Sequence, residues 1–383
     1  MVFGAEWQKE CDRIPKVLNR VSLIVFKSFL LCIIQNFFQT SMTISLIRSY
    51  GLLDQLVQIK PQKASRGQLE AFHSSAYLDY CEAAGKSDDL EKLEMVADNK
   101  FGIEYDCPIV PDIFNLIQWI AGGSLAAAEA LNRKDCQVAL NWGGGWHHAQ
   151  RDEASGFCYV NDIVLAIQHL RKVHDKVLYV DLDVHHGDGV ENAFSYSPKI
   201  FTFSIHKFES GYFPGSGTIN DVGHGKGRFY SLNFPLKDGI DDTSYSYIFD
   251  SILSEISYAF QPDAIVVQCG ADSLANDPLG GFSLSPRGIS SCIGKVLRLA
   301  KPTLLLGGGG YNPANAARFW TFLTGLLVRG EDLPSDIPDC DPYFEEYGPS
   351  FEIDLLPGQR RNCNSKEDID DLLEETFRNL EEI

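Results

Sequence analysis

The sequence predicts an α/β protein in which a mostly parallel sheet is covered by helices on both faces. Three observations carry that prediction. Short apolar runs, the mark of strands buried on both faces, alternate with stretches of helical periodicity over most of the chain. Thirty-three glycines, four of them in the run Gly307–Gly310, call for many tight turns. The 383 residues, 44% apolar and 22% charged, suffice for one large domain with a sizeable core.

Along the chain, the first segment to stand out is VSLIVFKSFLLCIIQNFFQ, Val21–Gln39, with Lys27 its only ionised residue. By hydropathy it is marginally long enough to span a membrane. It lies too far from the start, behind acidic residues, for a signal peptide. A third reading needs no membrane. Val-Ser can be written GTAAGT, a splice donor, and Phe-Phe-Gln can be written TTTTTTCAG, a pyrimidine tract with an acceptor. The 19 codons keep the frame. We read Val21–Gln39 as an anomalous apolar insertion, a retained intron or a gene-model error, within a single domain spanning residues 1–383.

From about Cys136 the predicted strands are CQVALNW, KVLYVDLDV, IFTFSIH, RFYSLNFPL, DAIVVQCGAD and PTLLLGGGG. Helical stretches such as YVNDIVLAIQHLRKV and YSYIFDSILSEISYAF separate them. The tail NSKEDIDDLLEETFRNLEEI reads as a capped, acidic surface helix. No internal repeat is visible.

A net charge of −19 repels nucleic-acid phosphates, which argues against direct DNA or RNA binding. The same field draws in a basic partner such as a lysine-rich peptide. The ten cysteines are scattered without a CxxC pair, as expected of reduced thiols in an intracellular protein.

The stretch YVDLDVHHGDG, Tyr179–Gly189, concentrates charge at the end of an apolar strand. Alternation places Asp181, Asp183 and His185 on one face and Val180, Leu182 and Val184 on the other. Two neighbouring carboxylates repel unless a cation neutralises them, and an Asp–His–Asp set suits Zn²⁺ or Fe²⁺ with open positions. Asp272, in QCGADS, ends another strand and supplies the third ligand. A lone aspartate here would more often cap a helix. Four predicted strands, however, end in unusual polar chemistry: NWGGGWHHA, VDLDVHHGDG, QCGADS and LGGGGYN. In open α/β sheets, ligands bind beyond the carboxyl ends of the strands. His147 and His148 suit acid–base work, with Asp181 and Asp188 as the spare carboxylates to orient them. Tyr311, following four glycines, suits stabilisation of a developing oxyanion beside a metal.

The stretches GGGWHHAQRDEASGFCYVND, YVDLDVHHGDGVE, GYFPGSG, QCGAD and LGGGGYNPANAARFWT resemble the zinc-dependent histone deacetylases of class I. The resemblance covers nearly the whole chain apart from Val21–Gln39. It implies an arginase/deacetylase-like fold with a sheet of about eight strands, and hydrolysis of Nε-acetyl-lysine in histones and other proteins with release of acetate. It implies zinc on Asp183, His185 and Asp272, with Fe²⁺ able to replace it. His147 pairs with Asp181 and His148 with Asp188. His148 is then the general base and acid, His147 acts electrostatically, and Tyr311 polarises the carbonyl. Phe157 and Phe213 wall an apolar tunnel, and Gly309 also belongs to the substrate site. The Gly156 carbonyl accepts the substrate amide, and Asp106 holds the substrate backbone.

A structural potassium ion is implied on Asp181, Asp183, His185, Ser204 and Ile205. A second monovalent site is implied at Phe194, Ser197, Ile200 and Tyr230, where Ser197 replaces the family's threonine. The same resemblance implies acetylated histone tails and cohesin as partners. It also implies activity without a corepressor complex, since no long tail follows EEYGPSFEI. Location in nucleus and cytoplasm, without membrane attachment, is the further expectation. Two rivals stand beside this reading: hydrolysis of small acetylated amines such as polyamines, and an inactive acyl-lysine-binding scaffold.

Overall fold

A computed structural model describes residues 21–24, 35–85, 100–103 and 106–383. Eight strands form one sheet: β1 (Val21–Ile24), β2 (Val57–Ile59), β3 (Val138–Asn141), β4 (Val177–Asp181), β5 (Ile200–Lys207), β6 (Ser231–Leu236), β7 (Ala264–Gln268) and β8 (Thr303–Leu306). Their order is β2-β1-β3-β8-β7-β4-β5-β6, and every pairing is parallel. The helices are α1 (Gln35–Ser49), α2 (Arg66–Leu69), α3 (Ser75–Ala84), α4 (Ile113–Asn132), α5 (Asp162–Leu170), α6 (Asp188–Phe194), α7 (Asp242–Phe260), α8 (Pro286–Leu297), α9 (Pro313–Arg329) and α10 (Lys366–Leu380).

The strands alternate between two cores. Leu178 and Val180 of β4 join Ile265 and Val267 of β7 beneath α1, α7, α8 and α9. Val177 and Tyr179 turn the other way, with Val266 and Leu304, against α4, α5 and α6. Fully burying such a side chain contributes roughly 1.5–3 kcal/mol relative to exposure, so these two layers hold the sheet. Several helix starts are capped as their sequences suggest. Ser285 and Asn312 accept from the third residue of α8 and α9, each of which opens on proline. The expected tail helix is α10, where Ser365 and Asp368 form a reciprocal capping box.

Across the sheet, one row of paired residues marks where apolar strand gives way to polar chemistry. Asn141, Leu306, Gln268, Asp181, Ser204 and Asn233 are successive register partners on β3, β8, β7, β4, β5 and β6. Strands β3, β8, β7 and β4 are consecutive neighbours in the sheet, so the four polar strand ends converge at one edge.

Three details differ from the sequence reading. The strand expected through His185 leaves the regular ladder after Asp181, because the Asp183 amide donates to Asp181 Oδ1 at 3.1 Å. Leu182 and Val184 nevertheless stay in the core with Leu178 and Val180. Strand β2 went unpredicted because three residues with largely exposed side chains carry no apolar alternation. Strand β1 lies in the segment read as an insertion, and it pairs with both β2 and β3. The same segment contributes Gln35–Gln39 to α1, while residues 25–34 lie outside the described residues. Among the described residues, no helix is long and apolar enough to cross a membrane.

Candidate active site: a metal centre between two histidine–aspartate dyads

The turns after β4 and β7 bring three potential ligands together. Asp183, His185 and Asp272 offer ligand atoms that all lie within 4.8 Å of one another, and all three residues are buried. His185 Nδ1 sits 3.1 Å from Asp183 Oδ1 and 3.0 Å from Asp272 Oδ2. Backbone amides anchor the carboxylates: Val184 N–H donates to Asp272 Oδ1 at 3.0 Å, and Gly309 N–H to Asp183 Oδ2 at 2.9 Å.

The charge balance of this cluster shows what it accepts. Burial pushes Asp272 up, and the neighbouring Asp183 carboxylate adds to that push. Burial also lowers His185, but hydrogen bonds to Asp183 and Asp272 overcome it and raise the imidazole to about 10. Two buried carboxylates thus demand positive charge at the Nδ1 position. A divalent cation with nitrogen and oxygen ligands meets that demand, so the residues fit a metal.

Two dyads flank the cluster. His147 Nδ1 lies 2.8 Å from Asp181 Oδ2, which also accepts from the Tyr179 hydroxyl at 2.6 Å. His148 Nδ1 lies 2.7 Å from Asp188 Oδ1, whose other oxygen accepts from Gln150 Nε2 at 3.0 Å. Burial lowers His147, yet Asp181 and Asp183 outweigh it and set the ring at about 9. Burial and the adjacent His147 drive His148 down to about 4, against the pull of Asp188.

The glycine run after β8 lets backbone pass close to the ligands. A side chain at Gly309 would strike the Asp272 carboxylate, so only glycine fits there. Gly309 has its N–H on Asp183 and its carbonyl on Ala271 N–H, so what it offers a substrate is space. Tyr311 follows, its amide held by Asp277 Oδ2 at 2.7 Å and its ring edge-on to His185 at 6.1 Å. Burial, then Asp272 and Asp183, hold its phenol well above the usual tyrosine range.

Phe157 and Phe213 are about 40% exposed, at 40% and 41%. Phe157 packs against Tyr311 at 5.8 Å, and Phe213 meets His148 edge-on at 4.9 Å. A side chain at Gly156, which sits at φ +52, would strike the His148 ring, and the Gly156 amide donates to Asp106 Oδ2 at 2.9 Å. Asp106 therefore braces the turn that carries Phe157.

The residues expected around monovalent ions are also placed. Asp181 is the register partner of Ser204, and Ile205 follows within β5. Phe194 ends α6, its carbonyl accepting from Ser197 N–H at 2.8 Å. Ile200 opens β5, and the Tyr230 carbonyl accepts from Thr202 N–H at 2.9 Å.

Sequence reasoning missed Gln268. Its Nε2 donates to Asp183 Oδ2 at 2.7 Å, and its Oε1 accepts from Gly270 N–H at 2.7 Å. The available signal was a lone amide closing the apolar strand AIVVQ. Asp162 was missed too. It holds the amides of Gly145 at 3.0 Å and Trp146 at 2.8 Å, just before the paired histidines.

Comparisons with known proteins place the chain in a family. The family described as Histone deacetylase domain matches residues 35–327. Histone deacetylase 8 of Xenopus tropicalis is 46% identical over 385 aligned positions, covering 100% of this chain and 97% of that protein. Histone deacetylase 8 of Danio rerio is 43% identical, covering 100% and 95%. Histone deacetylase 1 of Homo sapiens is 42% identical over 339 positions, covering 88% of this chain and 69% of that protein. With the family model matching most of the chain, and relatives of this similarity, the chain belongs to the class I histone deacetylases and is similar to the type 8 proteins along its whole length.

Proposed function

We propose that this protein is a metal-dependent protein lysine deacetylase that hydrolyses Nε-acetyl-lysine in histones and other proteins and releases acetate. The observation that carries the reading is the buried Asp183–His185–Asp272 cluster with His–Asp dyads on both sides. We assign Zn²⁺ to the cluster, with Fe²⁺ able to occupy the same ligands. When bound, the ion supplies Lewis acidity and makes water easier to deprotonate.

The chain's own residues do the rest. His148 Nδ1 keeps its proton on Asp188, which leaves Nε2 as the basic atom. A ring held at about 4 is neutral at pH 7, so His148 is able to take a proton from the attacking water. It then returns that proton to the departing lysine nitrogen. His147, held at about 9, stays protonated in the metal-free cluster and acts electrostatically. Tyr311 keeps its phenolic proton and donates it as a hydrogen bond to the developing oxyanion.

Phe157 and Phe213 wall the path of the lysine stem, whose methylenes pack well on aromatic rings. The Gly156 carbonyl accepts the substrate amide, Asp106 holds the substrate backbone at the rim, and Gly309 leaves room for the acyl group. Potassium occupies the Asp181, Asp183, His185, Ser204 and Ile205 site and, secondarily, the Phe194, Ser197, Ile200 and Tyr230 site. A chain of net charge −19 favours basic, lysine-rich partners over nucleic acid. Acetylated histone tails and cohesin, activity without a corepressor complex, and action in nucleus and cytoplasm complete the proposal.

A side-by-side assay of an acetyl-lysine peptide and an acetylated polyamine tests the substrate class. Preference for the polyamine would replace this reading with the small-amine one, and binding without hydrolysis would favour a scaffold. We also propose that Val21–Gln39 is a retained intron or a gene-model error, supported by end residues that can be encoded as splice signals and by its apolar composition. Abundant cDNA containing these codons would sink that idea. So would a chain lacking the segment that fails to fold, as the pairing of β1 would then require.

A further inference from the structure

Two buried histidines have no part in the chemistry above. His186, beside His185, and His206, in β5, are 2% and 0% exposed, with ring centroids 4.7 Å apart. All four ring nitrogens are engaged. His206 Nε2 lies 2.8 Å from the Gly217 carbonyl, which only accepts, so Nε2 carries the proton. Its Nδ1 then accepts from the Ser204 hydroxyl at 2.8 Å. His186 Nε2 donates to Glu191 Oε2 at 3.1 Å, which leaves Nδ1 for the Ser216 hydroxyl at 2.9 Å. Glu191 is itself held by Asn233 Nδ2 at 2.7 Å.

Both histidines reach the same loop. Ser216 and Gly217 close the stretch Gly211–Gly217, which carries Tyr212 and Phe213. Phe213 is 41% exposed and packs edge-on against His148 on one side, so the position of its ring also depends on the backbone that carries it. Gly217, at φ +87, has no room for a side chain, which would strike both His206 and His186. At the other end of the loop, the Tyr212 hydroxyl donates to the Leu279 carbonyl at 2.8 Å.

We infer that His186 and His206 are positioning residues that pin the 211–217 loop through Ser216 and Gly217, fixing the Phe213 wall and so the fit of the acyl-lysine stem. The role of Phe213 rests on the deacetylase reading. The pinning itself is measurable without turnover.

The test uses the full, metal-loaded chain with Ser216→Ala, His206→Leu and His206→Gln, the last of which keeps an N–H donor for Gly217. Amide hydrogen exchange at residues 211–217 is the first readout. It is expected to quicken about tenfold in His206→Leu, less in Ser216→Ala, and to return toward wild type in His206→Gln. Kinetics on an acetyl-lysine peptide are the second. KM is expected to rise about tenfold in His206→Leu and about threefold in Ser216→Ala, with kcat within about threefold of wild type. Unchanged exchange in both variants overturns the pinning. Faster exchange with an unchanged KM, or a loss confined to kcat, overturns the link to substrate fit. If His206→Leu does not fold, Ser216→Ala decides by the same two readouts. A wild-type chain that hydrolyses no acetyl-lysine would refute the function proposed above and leave the exchange result standing.

Discussion

Two histidine–aspartate dyads lie side by side in this molecule and hold their protons in opposite ways. The His147 and His148 rings are 3.9 Å apart, both are buried, and each has a carboxylate within 2.8 Å. Yet His147 is raised to about 9 and His148 is lowered to about 4. The difference lies in what else each ring faces. His147 Nε2 has a second carboxylate, Asp183, at 3.9 Å, whereas His148 has a neighbouring histidine that opposes its charge. A third histidine calibrates the pair. His73 is buried without a carboxylate hydrogen-bond partner, and burial takes it down to about 4 against the weaker upward pull of the Arg151 and Gln150 backbone and of Asp152. Identical chemical pairs acquire different proton affinities from the charges around them.

The largest expected effect comes from breaking the asymmetry at its source. Asp183→Ala removes both a metal ligand and the second carboxylate of His147. Metal affinity should fall by more than the roughly 10–100-fold typical of losing a ligand's supporting hydrogen bond, and turnover should vanish with it. In the metal-free protein, NMR titration should find His147 shifted downward toward His148. A variant that hydrolyses acetyl-lysine normally with no metal detected would refute the ligand assignment.

The dyads themselves are compared next. His148→Ala should cost roughly 10²–10⁴-fold in kcat, the usual range for an acid–base group, and His147→Ala should cost less. Equal, modest losses would show that the division of labour between the two rings is wrong.

Tyr311→Phe deletes one oxygen at the same centre. The loss should fall on kcat, on the order of 10²–10³-fold, with metal content unchanged. Near-wild-type kcat would remove Tyr311 from the mechanism.

The smallest effect is on stability and involves His73. Its Nε2 accepts from Asn161 N–H at 3.0 Å, so the folded state holds the ring neutral. The unfolded chain takes up a proton below about 6.5, whereas the folded chain resists it until about 4. Stability from this group is therefore intact above pH 6.5 and is lost as pH falls toward 4, by about 3 kcal/mol at most. Denaturant melts at pH 7 and pH 4.5 should show a smaller pH slope in His73→Gln than in wild type. Identical slopes would mean that His73 does not report its burial in this way.

Much of the site was legible because its signals are local. Asp183, His185 and Asp272 are residue types that rarely close an apolar strand without a ligand to hold. The paired histidines stand out in the same manner, and the structure gives each a carboxylate partner. Gln268 was harder to read, since an amide at a strand end has many ordinary uses until Asp183 appears beside it. Strands β1 and β2 were missed for a related reason. A four-residue strand inside a longer apolar segment, and three residues at an exposed edge, carry no period long enough to be read.

By itself, then, the sequence determined the six strands from β3 to β8, the capped tail helix, the residue types gathered at the site and the family resemblance. Each depends on side-chain character and on spacing within a few residues. The tertiary structure decided what depends on distance between remote segments. It set β8 and β7 between β3 and β4, and it brought Asp272 onto His185 from 87 positions away. It also made one dyad basic and its twin neutral, because electrostatic energy depends on separation and burial, and neither is written along the chain.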